Sequence, residues 1–446
     1  MEIFKAYDIR GVYNHDFNKN DVYKIGYFIP RLLNTQKVLV GRDVRTSSPE
    51  IFDYLVKGIT DAGADVYDIG LATTPMVYYS TAHYHFDASV MITASHNPKE
   101  HNGLKISRND ALPVGYDTGL SKIEKWMETE VISVFDHKGA VIPFEIKTDY
   151  LNFLKKYLSD YSNLKIAIDC SNGMASLLIR DLLGDTPLYI YEQLDGTFPN
   201  HEPNPLIAKN TAALKEKVVK EHCDIGVIFD GDADRVMFVD EKGQFISPDL
   251  MIAVLGIYFS DKEKGESLQD IRTSKAVKKY IEKLGYTMHM WRVGRAYAAL
   301  KLREIHGLFG GELAGHYYFR DFYYSDSGIL ASLIMLSVFS KIKKQGKTVS
   351  ELMSEIAGGY INSGEINFKI EQKAQAMEAL REYFTRQEKP TAFYDFDGYR
   401  IEFLDWWFNV RPSNTEPYLR FLAEALSRET LDKKLAEVNH ILASFQ

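Results

Sequence analysis

The chain has 446 residues, 45% of them apolar, enough for about three or four domains with cores of ordinary size. Its 53 Lys and Arg against 61 Asp and Glu give a net charge of −8, which argues against a nucleic-acid surface and leaves any anionic substrate to local Arg and Lys. The longest weakly polar run, residues 328–339, is too short for a membrane span, residues 1–5 lack the layout of a signal peptide, and the two cysteines, Cys170 and Cys223, read as buried free thiols, so a cytoplasmic protein with no membrane or nucleic-acid partner is expected.

Strands alternate with helices through the first three quarters. Residues 37–41 read as a buried strand, and Ser47-Ser48-Pro49-Glu50 opens a helix with a serine cap and a proline in its first turn. Ile51, Leu55, Val56 and Ile59 share one face of that helix, and Gly63 closes it. Residues 66–70 and 88–92 are further strands, with a helix from Thr74-Pro75 between them. A second α/β unit begins near Thr148, with strands at 165–169 and 225–229 and an irregular loop, Asp195-Gly196-Thr197-Phe198-Pro199-Asn200, between them. A third runs from about Ser247 to Ala357. After Gly358-Gly359 the pattern changes to alternating strands, a hairpin at Asp397-Gly398 and a last helix with Leu431, Leu435, Val438 and Leu442 on one stripe. The expected fold is α/β: three similar mixed domains, 1–145, 146–246 and 247–358, and a smaller C-terminal α+β domain, 359–446.

Four constellations carry chemistry. Asp230-Gly231-Asp232-Ala233-Asp234-Arg235 directly follows a buried strand. Three carboxylates this close raise the energy of the loop unless a cation neutralises them. An all-oxygen set suits a hard ion such as Mg²⁺, which binds through few carboxylates plus phosphate oxygens. An EF-hand is excluded, because Arg235 takes the glycine position and strands flank the loop. A phosphatase nucleophile at Asp230 leaves the third carboxylate unexplained. Thr93-Ala94-Ser95-His96-Asn97-Pro98 places a hydroxyl at another strand end, where a base or metal is needed to activate it. His96 and Asn97 stand ready to orient it, and Lys105 adds a cation.

Arg411-Pro412-Ser413-Asn414-Thr415 gathers a guanidinium, two hydroxyls and an amide, the donors that suit a phosphate dianion, and Arg420 adds a second cation. Glu312, in Gly311-Glu312-Leu313-Ala314-Gly315-His316, can accept two sugar hydroxyls, and His316 adds an imidazole able to shuttle a proton. Arg10, Arg42 and Arg45 stand beside turns, where ordinary salt bridging is expected. No Gly-x-x-x-x-Gly-Lys-Ser/Thr loop or Gly-x-Gly-x-x-Gly turn is present, so nothing points to ATP or a dinucleotide. Phosphate chemistry without a nucleotide motif leaves transfer from the enzyme itself, or hydrolysis.

Taken together, the motifs resemble the α-D-phosphohexomutase superfamily over essentially the whole chain. The likeness is greatest to its bacterial phosphomannomutase/phosphoglucomutase group, through Lys5-Ala6-Tyr7-Asp8-Ile9-Arg10-Gly11 and residues 93–98, 195–200 and 230–235. The resemblance implies a heart-shaped four-domain fold around a central cleft. It implies a phosphoserine at Ser95, and one Mg²⁺ held by Asp230, Asp232, Asp234 and a Ser95 phosphate oxygen. Ser95, His96, Lys105, Arg235 and His316 would be the catalytic set. Arg10, Arg295, Glu312, Arg411, Ser413, Asn414, Thr415 and Arg420 would bind substrate. A hexose 1,6-bisphosphate would act as primer, hexose phosphates as partners, and the chain as a monomer or weak homodimer. A small closing C-terminal domain would exclude water and protect the phosphoserine.

The chain departs from the group's pattern twice. Gly311-Glu312-Leu313-Ala314 stands where Gly-Glu-x-Ser is common, and Gly294-Arg295 where many members have Gly-His. Both departures fall in the sugar-reading region. The expected reaction is a phosphomannomutase with phosphoglucomutase activity alongside. Phosphoglucosamine mutase, a metal-dependent sugar phosphomonoesterase and a non-catalytic sugar-phosphate binder are the rivals.

Overall fold

Apolar runs that end in turns build four sheets, each from its own stretch of chain. The computed structural model describes residues 2–413 and 418–445. The first sheet has the strand order Ile9–Val12, His101–Arg108, Ala88–Ile92, Lys37–Arg42, Asp65–Leu71, Val141–Pro143. The second runs Phe245–Ile246, Val236–Asp240, Ile225–Phe229, Ile166–Asp169, Leu188–Ile190. The third runs Thr287–Trp291, Glu266–Asp270, Phe309–Gly311, Tyr317–Phe319, Ser325–Asp326. The fourth, antiparallel throughout, is centred on Trp406–Pro412 and Tyr418–Ala425. Three mixed α/β units and an α+β tail are therefore what the sequence patterns build.

The first three sheets share a local design. In each, a parallel pair is followed by an antiparallel step: Ala88–Ile92 to His101–Arg108, Ile225–Phe229 to Val236–Asp240, and Phe309–Gly311 to Tyr317–Phe319. The reversals hold Ser95, the three aspartates, and Glu312 with His316. The fourth sheet reverses between Trp406–Pro412 and Tyr418–Ala425, just after Arg411. A strand reversal in each unit thus delivers all four constellations.

Strand alternation decides which core a residue enters. Val38 and Val40 face a core private to the first unit, packed by Ile51, Leu55 and Ile59 of the helix Ser48–Asp61. Leu39 faces the other way, into a second core that also contains Met76, Ile168, Phe229, Phe309 and Leu333 and so runs through three units. The fourth unit has its own core, with Phe368, Leu380, Phe408, Phe421 and Leu431.

Ser47 is not the side-chain cap expected of it. Its backbone is helical, and its hydroxyl accepts a bond from Asn102 instead. Cys170 and Cys223 are free and buried. Among the described residues, no helix is long and apolar enough to cross a membrane.

Candidate active site

Ser95 sits at the turn after Ala88–Ile92 with φ +51°, a left-handed conformation rare for a residue with a side chain. Such strain persists only where the surroundings over-determine it. Here they do. The Ser95 hydroxyl donates to Asp230 Oδ2 at 2.8 Å, across 135 residues of sequence. Its carbonyl lies 2.4 Å from where a Cβ on Gly231 would stand, so only glycine fits there. Both groups are buried.

Ligand atoms of Asp230, Asp232 and Asp234 lie within 4.8 Å of one another. Burial, then the neighbouring Asp232 and Asp234, push the Asp230 carboxyl well above the usual range. Lys105, on His101–Arg108, donates to Asp232 and Asp234 at 2.6 Å each. Burial alone would lower its pKa, but these two carboxylates outweigh burial and hold it well above its ordinary value. For Asp234 the balance is reversed, with burial outweighed first by Lys105, and its carboxyl is held low. Thr74, at the start of the helix Thr74–His83, donates its hydroxyl and backbone N–H to Asp232. Asp232 Oδ1 and Asp234 Oδ1 remain buried without a hydrogen-bond partner among the described residues. Unpartnered carboxylate oxygens on converging side chains are the acceptors a hard divalent cation needs, so the donor set fits one.

Cations surround the Ser95 side. Arg10 donates to Asn97 Oδ1 at 2.8 Å and to Asp8. His96 Nδ1 is 3.4 Å from Ser95 Oγ. Burial first, then Arg235, Arg10 and Lys105, push its imidazole well below its ordinary pKa, so it is neutral near pH 7. Arg235 Nε donates to His316 Nε2 at 2.8 Å, which leaves the His316 proton on Nδ1, facing Asp326 Oδ2 at 2.6 Å.

A line of contacts runs from this site to the far phosphate-binding candidate. The His316 carbonyl accepts from Glu312 N, and Leu313 N donates to Asp270 Oδ2 at 2.9 Å. Asp270 also takes Arg272 through Nη2 at 2.6 Å, and Arg272 reaches Glu365 of the fourth unit at 3.6 Å. Glu365 in turn holds Arg420 at 3.0 Å. Arg411 faces Arg420 directly across adjacent strands, and like charges so placed repel. Arg411 Nε is buried with no hydrogen-bond partner among the described residues. Burial, then Arg272, lowers its pKa. A phosphate dianion would relieve this cluster. Ser413 follows Arg411 on the same turn, its backbone N–H bonded to the Tyr418 carbonyl. Asn414 and Thr415 lie outside the described residues.

Glu312 Oε1 accepts from Gly294 N at 3.1 Å and Tyr318 Oη at 2.9 Å, and burial raises its pKa. Arg295 is engaged by protein partners: Asp326 at 3.0 Å, the Ala111 carbonyl at 2.8 Å, and the face of Tyr78 at 3.6 Å. It ties the third unit to the first. Three residues escape the sequence reading. Thr74 and Arg272 are ordinary helix-start and strand-end residues by pattern. Arg45, expected in a plain salt bridge, sends four hydrogen bonds to carbonyls of the Ser95 loop.

Residues 1–131, 148–243, 247–360 and 365–441 match, in turn, phosphoglucomutase/phosphomannomutase alpha/beta/alpha domains I, II and III and the C-terminal domain. The phosphomannomutase of Methanocaldococcus jannaschii is 34% identical over 451 aligned positions, covering 99% of this chain and 98% of its own. That of Escherichia coli K12 is 34% identical over 438, covering 95% of each. A crystal structure of a phosphoglucomutase/phosphomannomutase family protein from Burkholderia thailandensis superposes with a TM-score of 0.85 at 25% identity, over 99% of this chain and 97% of the other. The Paramecium phosphoglucomutase parafusin shares the fold, with a TM-score of 0.78 at 17% identity over 99% and 95% of the two chains.

Proposed function

This chain belongs to the phosphoglucomutase/phosphomannomutase family, and on that premise we propose that Ser95 carries the phosphoryl group it moves between positions 1 and 6 of a hexose. The protein is a phosphohexomutase, an isomerase that acts on small hexose phosphates. Each of the units, taken as residues 1–145, 146–246, 247–358 and 359–446, contributes one loop to the reaction.

Phosphorylated Ser95 gives its phosphoryl group to the free hydroxyl of a hexose monophosphate: the Ser95 Oγ–P bond breaks as the sugar O–P bond forms, and the proton lost by the sugar hydroxyl is balanced by the one that restores the Ser95 hydroxyl. A hexose 1,6-bisphosphate results. It turns end over end and returns its other phosphate to Ser95, which restores the phosphoserine and releases the isomer. The same bisphosphate, supplied from outside, primes an unphosphorylated Ser95. Asp230, Asp232 and Asp234 would hold Mg²⁺ together with a phosphate oxygen on Ser95; bound there, the ion neutralises charge on the transferring group. Lys105, Arg235 and Arg10 add positive charge around the same oxygens. Neutral His96 offers a nitrogen beside Ser95 Oγ, and His316, held between Arg235 and Asp326, fixes the Arg235 fork. Glu312 grips sugar hydroxyls, with Arg295 bracing the wall beside it. Arg411, Ser413, Asn414, Thr415 and Arg420 bind the phosphate that is not transferring, whichever end of the sugar it occupies.

Mannose phosphates are the proposed principal substrates, in line with the names of the relatives, and glucose phosphates the second. The two sugars differ only at C2, and contacts through other hydroxyls do not separate them. The observation that carries the reading is the 2.8 Å bond from Ser95 to Asp230, which joins the hydroxyl to the acidic triad. The test is a coupled assay on mannose 1-phosphate, glucose 1-phosphate and glucosamine 1-phosphate, with and without bisphosphate, while inorganic phosphate is measured in the same tubes. Isomerisation with no phosphate release is expected, and Ser95→Ala should lose at least about 1,000-fold in turnover while still binding substrate. Phosphate released mole for mole would make the protein an esterase. Full turnover by Ser95→Ala would remove the phosphoserine.

A further inference from the structure

The loop Asp195-Gly196-Thr197-Phe198-Pro199-Asn200 has no part in the chemistry above, yet it reaches the Ser95 loop. The link is Arg45. Its side chain is buried, and all five guanidinium N–H groups are used. Nε donates to Asp43 at 3.1 Å, Nη1 to the Pro98 and His101 carbonyls at 2.7 and 3.1 Å, and Nη2 to the Ser95 and Asn97 carbonyls at 2.8 and 2.7 Å. Asp43 is itself fixed by Ser48 Oγ at 2.6 Å. Four carbonyls of one short loop converge on a single fork, and the Ser95 carbonyl among them is buried.

The second unit covers the face of that fork. The Phe198 ring centre lies 5.0 Å from the Arg45 guanidinium carbon, within cation–π range. Gly196 packs so tightly that a Cβ would stand 2.1 Å from the Val44 carbonyl. The loop is anchored to its own unit by Asn200 to Asn172 at 2.8 Å and His201 to Asp169 at 3.1 Å. The second unit therefore grips the Ser95 turn from two sides: Gly231 presses on the Ser95 carbonyl, and Phe198 backs the arginine that bonds to it.

We propose that Arg45, held by Phe198, is a positioning residue that sets the left-handed Ser95 turn and so aims the Ser95 oxygen at the acidic triad. The inference rests on the reading of Ser95 as the phosphoryl carrier. Arg45 touches neither substrate nor the reacting atoms. Lysine cannot replace it, because one ammonium has three donors and no fixed plane.

The test follows a single turnover from phosphorylated Ser95 to a hexose monophosphate, with phosphate at residue 95 quantified by mass spectrometry. Arg45→Lys and Arg45→Ala should slow transfer by about 100-fold with KM changed less than about threefold. Millimolar guanidinium should restore part of the rate to Arg45→Ala and none to Arg45→Lys. Phe198→Ala, which keeps every hydrogen bond, should slow transfer about tenfold and decides the matter if the Arg45 variants do not fold. Wild-type transfer rates in folded Arg45→Lys or in Phe198→Ala would overturn the inference, as would a loss confined to KM. If the wild-type protein never carries phosphate at residue 95 after exposure to the bisphosphate, the underlying reading fails instead.

Discussion

The first three units and the fourth are held in different ways. One apolar core threads units one to three, from Leu39 to Ile356. The fourth packs around its own core and meets the third through polar ties and a stacked ring pair, Trp291 with Phe396. Asp397 takes Val293 N at 2.8 Å, Arg400 reaches the Ile271 and Thr273 carbonyls at 2.8 and 2.6 Å, and Arg272 reaches Glu365. The contrast follows the labour of the site. Where the proposed transfer takes place, at Ser95 and the aspartates, the loops hang from strands that share one close-packed core, which resists small displacements. Where the proposal has one site serve either end of a sugar, the arginines ride on a unit with a core of its own.

The sharpest way to break that contrast is to remove the divalent metal. Chelation should cost at least about 1,000-fold in turnover, roughly 4 kcal/mol, while binding of a hexose monophosphate to Arg411 persists. Undiminished turnover in chelator would withdraw the role given to the aspartates. A pair of core truncations comes next. Leu333→Ala and Phe408→Ala should each cost about 3 kcal/mol. Hydrogen exchange should show the first spreading through units one to three and the second confined to residues 361–445. A Phe408→Ala effect reaching the Ser95 loop would erase the distinction.

Arg411→Ala should weaken both hexose monophosphates by roughly 30-fold, about 2 kcal/mol, with little change in transfer rate. A loss for one isomer alone would contradict a single distal site. The smallest effect sits in the first unit. Burial opposes ionisation of Asp61, but bonds from Lys138, Lys57 and Tyr23 outweigh it and hold its carboxyl down at about 2. A carboxyl with a depressed folded pKa stabilises above its unfolded value and loses that contribution as pH falls through the folded one. Because the two lysines are half exposed, Asp61→Asn should cost only about 1 kcal/mol at neutral pH, and urea melts of the two proteins should converge near pH 2.

Much of this molecule is legible in its sequence. The strands Ala88–Ile92 and Ile225–Phe229 are continuous buried runs that stop at polar turns, and both lie where the pattern puts them. The Asp397-Gly398 hairpin between Ala392–Tyr394 and Tyr399–Glu402 is just as plain. That the three aspartates need a cation is readable because like charges in so few residues demand one, and it is the family resemblance that brings Ser95 to them. Arg45 was not readable. Its partners are backbone carbonyls some fifty residues away, and carbonyls leave no mark in a sequence. Arg295 was expected to meet substrate, a reading that follows from its place in the chain. Which way its guanidinium turns depends on Tyr78 and Asp326, brought together only by the fold.

The core that runs through three units also sets a schedule for synthesis. The helix Thr74–His83 is buried along nearly its whole length, partly by residues made much later. His83 bonds to Tyr323, 240 residues further on. At ribosomal speeds of about 5–20 residues per second, that interval lasts roughly ten to fifty seconds. For that time the Met76, Val77 and Tyr79 side of the helix waits for the part of its cover that the third unit supplies.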